Sequence, residues 1–405
     1  MESKYFIKTC ALIATEGSSL SDDFEISGGN PNITYYESVK SPSISVSIDF
    51  IDVDGVISRE GITGGEYLDL KIKVPDFDDF EITPDKHFMM LNSVKNVKTS
   101  SNKQIATLEF ISVEAIINET ARVSRRFTGN VSQIVKELMK DKKSIQTSKN
   151  LETDESFNKY SFVGNLKRPF DTIQWLCPKA ASTDKECGFL FYENLDGYFF
   201  KSIKGLLESD SSETYEKPEA PVDTDIKITE NNLDSSNDIG MNCRMGMYAN
   251  KTIYVDIENG KLETVDYKIS DLKLAKPPKL PAGLEDAPTR LMLRILDAGA
   301  LQKGSKKEEV EKKSELDVYQ NKSYARTNLL FSQSLSISTP FNPDLRVGQM
   351  IDVVLPVKEG SDQSQTTGGG ENDISGKYLL SELKHSIANG KSNSELKLIR
   401  DVFTA

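Results

Sequence analysis

The amino-acid sequence predicts an α+β protein that is mainly β, with strands near both ends of the chain and a mixed region between them. Apolar and polar residues alternate over about the first hundred residues and again over roughly the last 75, as in strands with one buried face. An apolar stripe with helical spacing lies between these regions. The 405 residues are too many for one ordinary core, so we expect about two to four domains.

The N-terminal region contains two clear series of alternating apolar residues. They are Ile44, Val46, Ile48 and Phe50, followed by Leu68, Leu70, Ile72 and Val74. The segments 88–98 and 105–114 flank a polar stretch and predict a hairpin. Residues 5–14 form a short mixed run interrupted by Lys8, so we predict a first strand there and no secretory signal. Together these strands predict an antiparallel barrel or sandwich that ends near Asn118.

The middle of the chain predicts two helices and a hairpin. Apolar residues between 131 and 139 recur at helical spacing, with Asn130 as the expected N-cap and Gln133 at the capping-box position. A second helix is expected to begin at Pro169, because proline is favoured in the first helical turn. The aromatic segment 188–200 predicts a hairpin around residues 194–197.

The following segment predicts a connector, two strands and two helices. Residues 208–238 are acidic and rich in turn residues, so we expect a solvated connector there. Strands are expected near 244–248 and 252–257. Helices are expected at 289–301 and 307–330.

The C-terminal region returns to the strand pattern. An apolar run covers 350–355, and the segments 378–383 and 396–403 predict a closing hairpin. The proline-rich segment 276–283 predicts a linker, and the polar segment 361–373 predicts a flexible loop. No short repeat is visible, although the two β regions could be diverged copies of one barrel.

Charge and cysteine content exclude several classes of protein. The net charge of −12 argues against a general nucleic-acid binder, which needs a cationic surface to release counterions. No run approaches roughly 18 consecutive apolar residues, so we expect no membrane-spanning segment. Without any CxxC spacing, buried free thiols are predicted at Cys10, Cys177, Cys187 and Cys243. A disulfide between Cys177 and Cys187 stays open as the less favoured alternative.

A search for reactive residues yields no catalytic, cofactor-binding or metal-binding candidate, so the sequence predicts a protein that has no cofactor and is not an enzyme. His87 and His385 are the only histidines, and each lies in a strand pattern without partners for a triad or a zinc site. The segment 52–55 lacks the carboxylates that a calcium loop needs at its ends. The glycines 368–370 lack the lysine and the helix of a phosphate loop.

Charged residues are numerous but do not define a site. Nothing singles out a catalytic carboxylate pair among the 62 Asp and Glu residues. Small basic clusters occur at Arg122, Arg125, Arg126, Lys167 and Arg168. We interpret them as solvated faces or contacts to an acidic neighbour rather than as a nucleic-acid site.

Two patterns near the C-terminus carry a family resemblance. The first, P-x-L-x-x-G-x-x-I, is formed by Pro343, Leu345, Gly348 and Ile351. The second is a G-x-Y pattern that leads into the final hairpin, formed by Gly376, Tyr378, Leu380, Leu383 and His385. In this order, with a variable loop between them, they resemble the closing barrel of the baseplate hub proteins of contractile-tailed phages.

Two earlier segments resemble the same family. Residues 106–139 contain a strand, then Arg126-Phe127, then a short amphipathic helix, which is similar to the family's passage out of its first barrel. Residues 165–180, followed by an apolar hairpin, resemble the helix and strands of its middle domain.

The resemblance implies two similar antiparallel β-barrels of the tail-tube type, with an inserted mixed α/β middle region. The first barrel is expected at 1–118, the middle domain at 119–222 and 249–323, and the second barrel at 223–248 and 324–405. Three chains would form a homotrimeric, pseudo-sixfold ring that joins the hexameric tail tube to the trimeric central spike. The implied location is the virion, in the baseplate of the phage tail, after synthesis in the host cytoplasm.

The implied partners are the tail tube protein, the central spike protein and other baseplate (wedge) proteins, with the tape measure protein as a further candidate. DNA is expected only in transit through the channel, without specific binding. The sequence contains no appended spike, needle or muramidase segment, so we expect the spike to be a separate chain. A peripheral baseplate or receptor-binding virion protein is the main alternative, and a cell-wall hydrolase is a less favoured one.

Overall fold

The structure, a computed structural model, describes most of the chain. The described residues are 5–29, 31–53, 55–75, 77–99, 104–217, 228–236, 238–256, 260–271, 287–296, 313–356 and 374–401. The predicted linker at 276–283 and the predicted loop at 361–373, with its glycines, lie outside them.

The first part of the chain forms strands and two short helices. These are β1 (Phe6–Ile13), β2 (Phe24–Glu25), β3 (Asn32–Ser38), β4 (Ser45–Asp52), α1 (Val56–Glu60), β5 (Tyr67–Lys73), β6 (Phe80–Ile82), β7 (Met89–Thr99), β8 (Gln104–Ser112) and α2 (Val113–Thr120). The predicted hairpin is confirmed as the antiparallel pair β7–β8. The Asp52 carboxylate accepts the N–H groups of Val56 and Ile57 at 3.0 and 2.9 Å, so it stabilises the start of α1.

The middle of the chain contains the predicted helices and hairpin. Its elements are β9 (Arg126–Asn130), α3 (Val131–Lys140), β10 (Leu151–Thr153), β11 (Lys159–Val163), α4 (Pro169–Leu176), β12 (Phe189–Asn194), β13 (Gly197–Ser202) and α5 (Ile203–Leu207). Asn130 and Gln133 form the predicted capping box of α3. Pro169 is the first residue of α4, as predicted, and a short 3-10 turn that contains Pro178 follows this helix.

Three predictions for the next part of the chain are wrong. Its elements are β14 (Ser211–Glu216), β15 (Glu230–Ser236), α6 (Ile239–Met245), β16 (Ala249–Asp256), β17 (Lys261–Lys268), β18 (Arg290–Leu296) and α7 (Lys313–Leu330). The acidic connector supplies two strands, because backbone pairing with distant strands holds β14 and β15 in place.

The expected strand at 244–248 is instead the end of a helix, and the expected helix at 289–301 is a strand over its described part. Asp238 caps α6 by accepting the Met241 N–H at 2.9 Å, and Gly246 ends this helix in a left-handed conformation. The strand β18 forms because it pairs in parallel with β16, and this pairing has no local sequence signal.

The C-terminal part contains the predicted strands. They are β19 (Gln333–Pro340), β20 (Met350–Val354), β21 (Gly376–Ala388) and β22 (Lys391–Arg400). The closing hairpin β21–β22 turns at Asn389 and Gly390, both of which have positive φ.

One large sheet runs through both ends of the chain. Its strand order is β15-β19-β22-β21-β3-β4-β8-β7-β5-β1-β2, with β20 and β14 branching from β21, and β6 pairing with β5. Smaller sheets are formed by β10, β13 and β12, by β11 and β9, and by β17, β16 and β18. The fold class is confirmed, since the protein is mainly β with a mixed middle region.

The large sheet contains two similar sets of strands. The order β3-β4-β8-β7-β5-β1 in the N-terminal set matches the order β15-β19-β22-β21-β20-β14 in the C-terminal set. Matching strands also share sequence, since Ser-Val-Ser-Ile at 45–48 corresponds to Ser-Leu-Ser-Ile at 334–337. One pair differs, because β1 is antiparallel to β5 whereas β14 is parallel to β20.

Two irregular features of the two sets match, although a second β7–β8 register shift, between Lys95 and Lys98, has no counterpart in β21–β22. The β7–β8 register shifts by one residue just after Leu91, and the β21–β22 register shifts just after Leu380. The Gly65 N–H donates to the Leu91 carbonyl at 3.0 Å, and the Gly348 N–H donates to the Leu380 carbonyl at 2.9 Å. A bulge and a glycine contact that recur together indicate an internal duplication.

Candidate assembly site: the sheet junction, its polar face and its open edges

The strand pair β21–β3 joins the two sets of strands in the middle of the large sheet. Residues 382–387 of β21 pair antiparallel with residues 33–38 of β3. The first residues of β21, 376–379, pair instead with β20, so this long strand changes partner along its length. The Tyr36 hydroxyl donates to Glu382 across the junction at 3.1 Å.

His385 lies beneath the junction in an aromatic cluster. Its ring stacks on Tyr35 with centroids 5.8 Å apart, and it meets Phe341 edge-on at 4.7 Å. Its Nδ1 lies 2.9 Å from the Ser394 hydroxyl. Burial, and then the charge of Arg346, lower the pKa of His385 to about 3, so this ring packs in its neutral form.

Glu37 is a fully buried carboxylate at which three segments meet. It accepts the N–H of Leu195 at 2.9 Å, the N–H of Val347 at 3.0 Å and the hydroxyl of Tyr35. Burial raises the pKa of Glu37 to about 7, although Arg346 and these hydrogen bonds oppose the shift. Glu37 therefore ties β3 to the β12–β13 turn and to the segment before β20.

We expect Glu37→Gln to remove part of the pH dependence of stability. Because the folded pKa lies above the usual value of 4.5, the neutral carboxyl stabilises the fold below about pH 4.5, and this contribution is lost as the pH rises through about 7. The shift corresponds to about 3 kcal/mol. Urea denaturation between about pH 4.5 and 8 should show the wild type losing about that much more unfolding free energy than the variant. The control is Glu16→Gln at an exposed position, and a pH-independent difference for Glu37→Gln would contradict the prediction.

A second buried charge cluster fastens the middle region to the N-terminal strands. Lys149 Nζ lies 2.7 Å from the Glu193 carboxylate and 2.9 Å from that of Glu114. Glu193 also accepts the Ser112 hydroxyl at 2.6 Å and the Ile44 N–H at 3.1 Å. Burial disfavours the ammonium, but Glu193 and then Glu114 outweigh it and raise the pKa of Lys149.

These two buried clusters were missed by sequence reasoning. Glu37 occupies a core-facing position of β3, after Ile33 and Tyr35, so an acidic residue in the apolar series was an available signal. Lys149 and Glu193 had no comparable signal, because they are 44 residues apart and meet only in the folded chain.

The face of the large sheet opposite its core is polar and built largely from short side chains. Its small residues include Thr34, Ser45, Ser47, Ser336 and Ser338. Its charged residues near the junction include Asp49, Glu109, Glu230, Asp234, Glu382, Glu395, Lys95, Lys98, Lys384 and Lys397. This polar face runs across both sets of strands without interruption at the β21–β3 junction.

Lysines and carboxylates lie side by side on the polar face. Three lysines near the junction each have a carboxylate beside them, with Lys384 3.2 Å from Glu395, Lys397 3.7 Å from Glu382, and Lys95 2.5 Å from Glu109. Asp49, Glu230 and Asp234 add further negative charge to this face, and Lys98 adds positive charge.

The other residues singled out in the sequence are dispersed. His87 lies in the turn before β7 rather than in a strand, and its Nδ1 accepts the Thr83 N–H at 3.0 Å. Mainly through burial, the pKa of His87 is lowered to about 4. The four cysteines are free thiols, as predicted, so Cys177 and Cys187 are not paired; the expected burial holds for Cys10, Cys177 and Cys187, whereas Cys243 is partly exposed.

Two residues of the basic clusters contact acidic residues of the same chain. Arg125 lies 2.8 Å from both Glu137 and Asp141, and Arg168 lies 2.6 Å from Glu119. Over the described part of the chain, no group of three or more His, Cys, Asp or Glu residues is arranged to hold a metal ion. No helix among the described residues combines the length and apolar character needed to cross a bilayer.

Solved phage tail proteins have a similar fold. The tail protein from Neisseria meningitidis MC58 matches with a TM-score of 0.52 and 9% identity, over 99% of this chain and 98% of that one. The 43 kDa tail protein of prophage MuSo2 from Shewanella oneidensis matches with a TM-score of 0.51 and 9% identity, over 98% of this chain and 99% of that one. No protein-family model matches the sequence, and the curated proteins contain no match. Because both alignments cover nearly the whole of both chains, this chain shares its overall fold with phage tail proteins, as the resemblance in its sequence implied.

Proposed function

We propose that this chain is a structural hub subunit of a phage-tail baseplate and that three copies form a pseudo-sixfold ring. The observation that carries the proposal is the repeated strand order of two similar sets within one continuous sheet. Three chains with two similar units each place six units around one axis. Such a ring can match a hexameric tail tube on one side and a trimeric central spike on the other.

The polar face supports the proposal as the wall of a central channel. Short hydroxyl side chains keep the wall free of long projecting groups, and its carboxylates repel the phosphates of DNA instead of holding them. DNA would then pass through during ejection without specific binding.

The proposed domains are a first barrel at 1–118, a middle domain at 119–222 and 249–323, and a second barrel at 223–248 and 324–405. Within 119–222, β14 pairs with β20, so in this proposal the middle segment contributes one edge strand to the second barrel. The buried clusters around Glu37 and Lys149 would hold the middle domain against the first barrel.

The proposed role is structural and not enzymatic, in the baseplate of a virion whose proteins are made in the host cytoplasm. The proposed neighbours are the tail tube protein, the central spike protein, the wedge proteins and the tape measure protein. Stable symmetry matching of this kind requires large subunit interfaces.

Light scattering of the purified chain, followed by electron microscopy, tests the ring. We expect a mass of about three times 45.1 kDa and an end-on view with six lobes around a hole. A stable dimer, or a trimer without a channel, would favour a peripheral or receptor-binding protein. Hydrolysis of purified peptidoglycan would favour a cell-wall hydrolase. A chain that stays monomeric even when mixed with the tail tube protein would contradict the hub.

A further inference from the structure

We propose that β7 of one copy of this chain pairs antiparallel, through residues 93–99, with β15 of a second copy. The proposed subunit contact repeats, between chains, the β21–β3 junction that exists within the chain. It rests on the proposed trimer for its geometry, but it specifies strands, register and side chains that the trimer alone does not.

The internal duplication defines which strands correspond. Two rows of Cα partners cross the sheet in the same way: Tyr35–Val46–Phe110–Leu91 and Leu233–Leu335–Leu398–Leu380. In these rows β15 corresponds to β3, and β21 corresponds to β7. Superimposing the first set of strands on the second places β3 on β15. The same rotation around the proposed ring places β21 on the β7 of the next copy. The β3–β21 junction within one chain therefore predicts a β15–β7 junction between two chains.

Both strands have an open edge where this junction would form. Among the described residues, β15 pairs only with β19, and β7 pairs with β8 and, through Met90 alone, with β5. The corresponding edges of β3 and the outer half of β21 are occupied by each other. An open strand edge is a template for pairing with another chain.

Exposure of side chains differs between the two sets in the way the proposal requires. Val97 in β7 is 47% exposed and Leu233 in β15 is 37% exposed. In the occupied junction, the residues that correspond to Leu233 and Val97 are Tyr35, which is 1% exposed, and His385, which is fully buried. The same strand positions are thus buried where a partner strand is present and open where the partner would be a second copy.

Charge complementarity favours the same pairing. The free half of β7 exposes Lys95 and Lys98, whereas β15 exposes Glu230 and Asp234. Oppositely charged residues on facing strands stabilise an antiparallel pair, and like charges destabilise it. The edges of two β7 strands would repel each other, so the pairing of β7 with β15 is selected over pairing of like edges.

The register follows from the occupied junction. Ser386 pairs with Thr34 there, and Thr34 precedes Tyr35 as Asn232 precedes Leu233. Lys98 corresponds to Ser386, because their partners Ile105 and Asn393 lie at the same offset from Phe110 and Leu398. The predicted contact between copies is therefore Lys98 opposite Asn232, with Glu230 and Asp234 at the diagonal positions.

Cysteine cross-linking of the full chain tests this register. In a Cys243→Ser background, which removes the one native thiol that is not buried, Lys98→Cys combined with Asn232→Cys should form disulfides under mild oxidation. Because the contact is head-to-tail and three copies close the ring, we expect covalent dimers and trimers on a non-reducing gel that collapse on reduction.

Three matched controls accompany this variant. Each single-cysteine variant should give no covalent dimers or trimers. Lys98→Cys with Asn231→Cys should cross-link at least tenfold less, because these two side chains lie on opposite faces of the sheet. Thr34→Cys with Ser386→Cys should form a disulfide within one chain, which confirms that the conditions trap strand partners in this register.

A second variant tests the contact without a cross-link. Asn232→Lys places a like charge opposite Lys98 of β7 and should raise the trimer dissociation constant at least tenfold, with the circular dichroism unchanged because Asn232 is exposed. A trimer by light scattering that shows no Lys98–Asn232 cross-link and tolerates Asn232→Lys would overturn this contact and leave the proposed hub intact. A monomer under all conditions would overturn both.

Discussion

Lys149→Met should destabilise the protein by about 3–5 kcal/mol, because it leaves two carboxylates buried without their counter-charge. The exposed fraction of the side chain is 6% for Lys149, 0% for Glu193 and 4% for Glu114. Methionine keeps the volume of the lysine stem, so the loss should come from charge and not from a cavity. Urea denaturation followed by the fluorescence of Trp175, the single tryptophan, measures the effect in the middle region.

Two further variants separate this mechanism from general damage. Adding Glu193→Gln and Glu114→Gln to Lys149→Met removes the unpaired charges and should restore a large part of the lost free energy. Lys204→Met removes a solvated lysine whose partner, Asp184, is also solvated, and it should have little effect. A small loss for Lys149→Met, or no recovery in the triple variant, would show that the cluster does not hold the fold together.

Gly348→Ala should destabilise the protein by about 2–5 kcal/mol, through backbone strain and steric overlap together. Gly348 has a φ of +91°, and a Cβ at this position would lie 2.1 Å from the Tyr192 hydroxyl and 2.8 Å from its ring carbon Cζ. Tyr192 is buried in the core shared by the middle region and the C-terminal strands, so it has little room to move. The midpoint of thermal or urea unfolding measures the loss.

Gly390→Ala is the matched control, because Gly390 has a similar φ of +76° but no atom within 4 Å of an added Cβ. It should show the strain alone, about 1–2 kcal/mol. Tyr192→Phe in the Gly348→Ala background removes the nearest clashing atom and should recover part of the loss. Equal losses at the two glycines would mean that the contact with Tyr192 contributes nothing.

Elements with local signals were predictable from the sequence, and elements held by distant partners were not. The helix α3 has its apolar stripe, cap and capping box within eleven residues, and Pro169 marks the start of α4. The strand β15, with the sequence ENNLDSS, has one apolar residue, and its pairing with β19 joins residues about a hundred positions apart. Such a strand depends on tertiary pairing that overrides its own propensity.

The features of the assembly site also differ in whether the sequence alone predicts them. The pattern around Gly348 was recognisable in the sequence, because the positive φ just before β20 strongly favours glycine at this position. The continuous polar face was not, since it depends on the meeting of β3 with β21 and on the order of eight strands. Short tetrapeptides at 45–48 and 334–337 are the visible trace of the duplication, and they become informative only when the strands can be superimposed.

The pairing of β3 with β21 also determines when the large sheet can be completed during translation. The strands β1 to β8 end at Ser112, whereas β21 begins at Gly376. At bacterial rates of synthesis, the edge of β3 therefore stays unpaired for on the order of 10–50 s until β21 has been made. During this time, other nascent chains that are being translated from the same messenger RNA can pair with the open edge of β3 and aggregate. The β21–β22 hairpin thus protects strands that were made well before it.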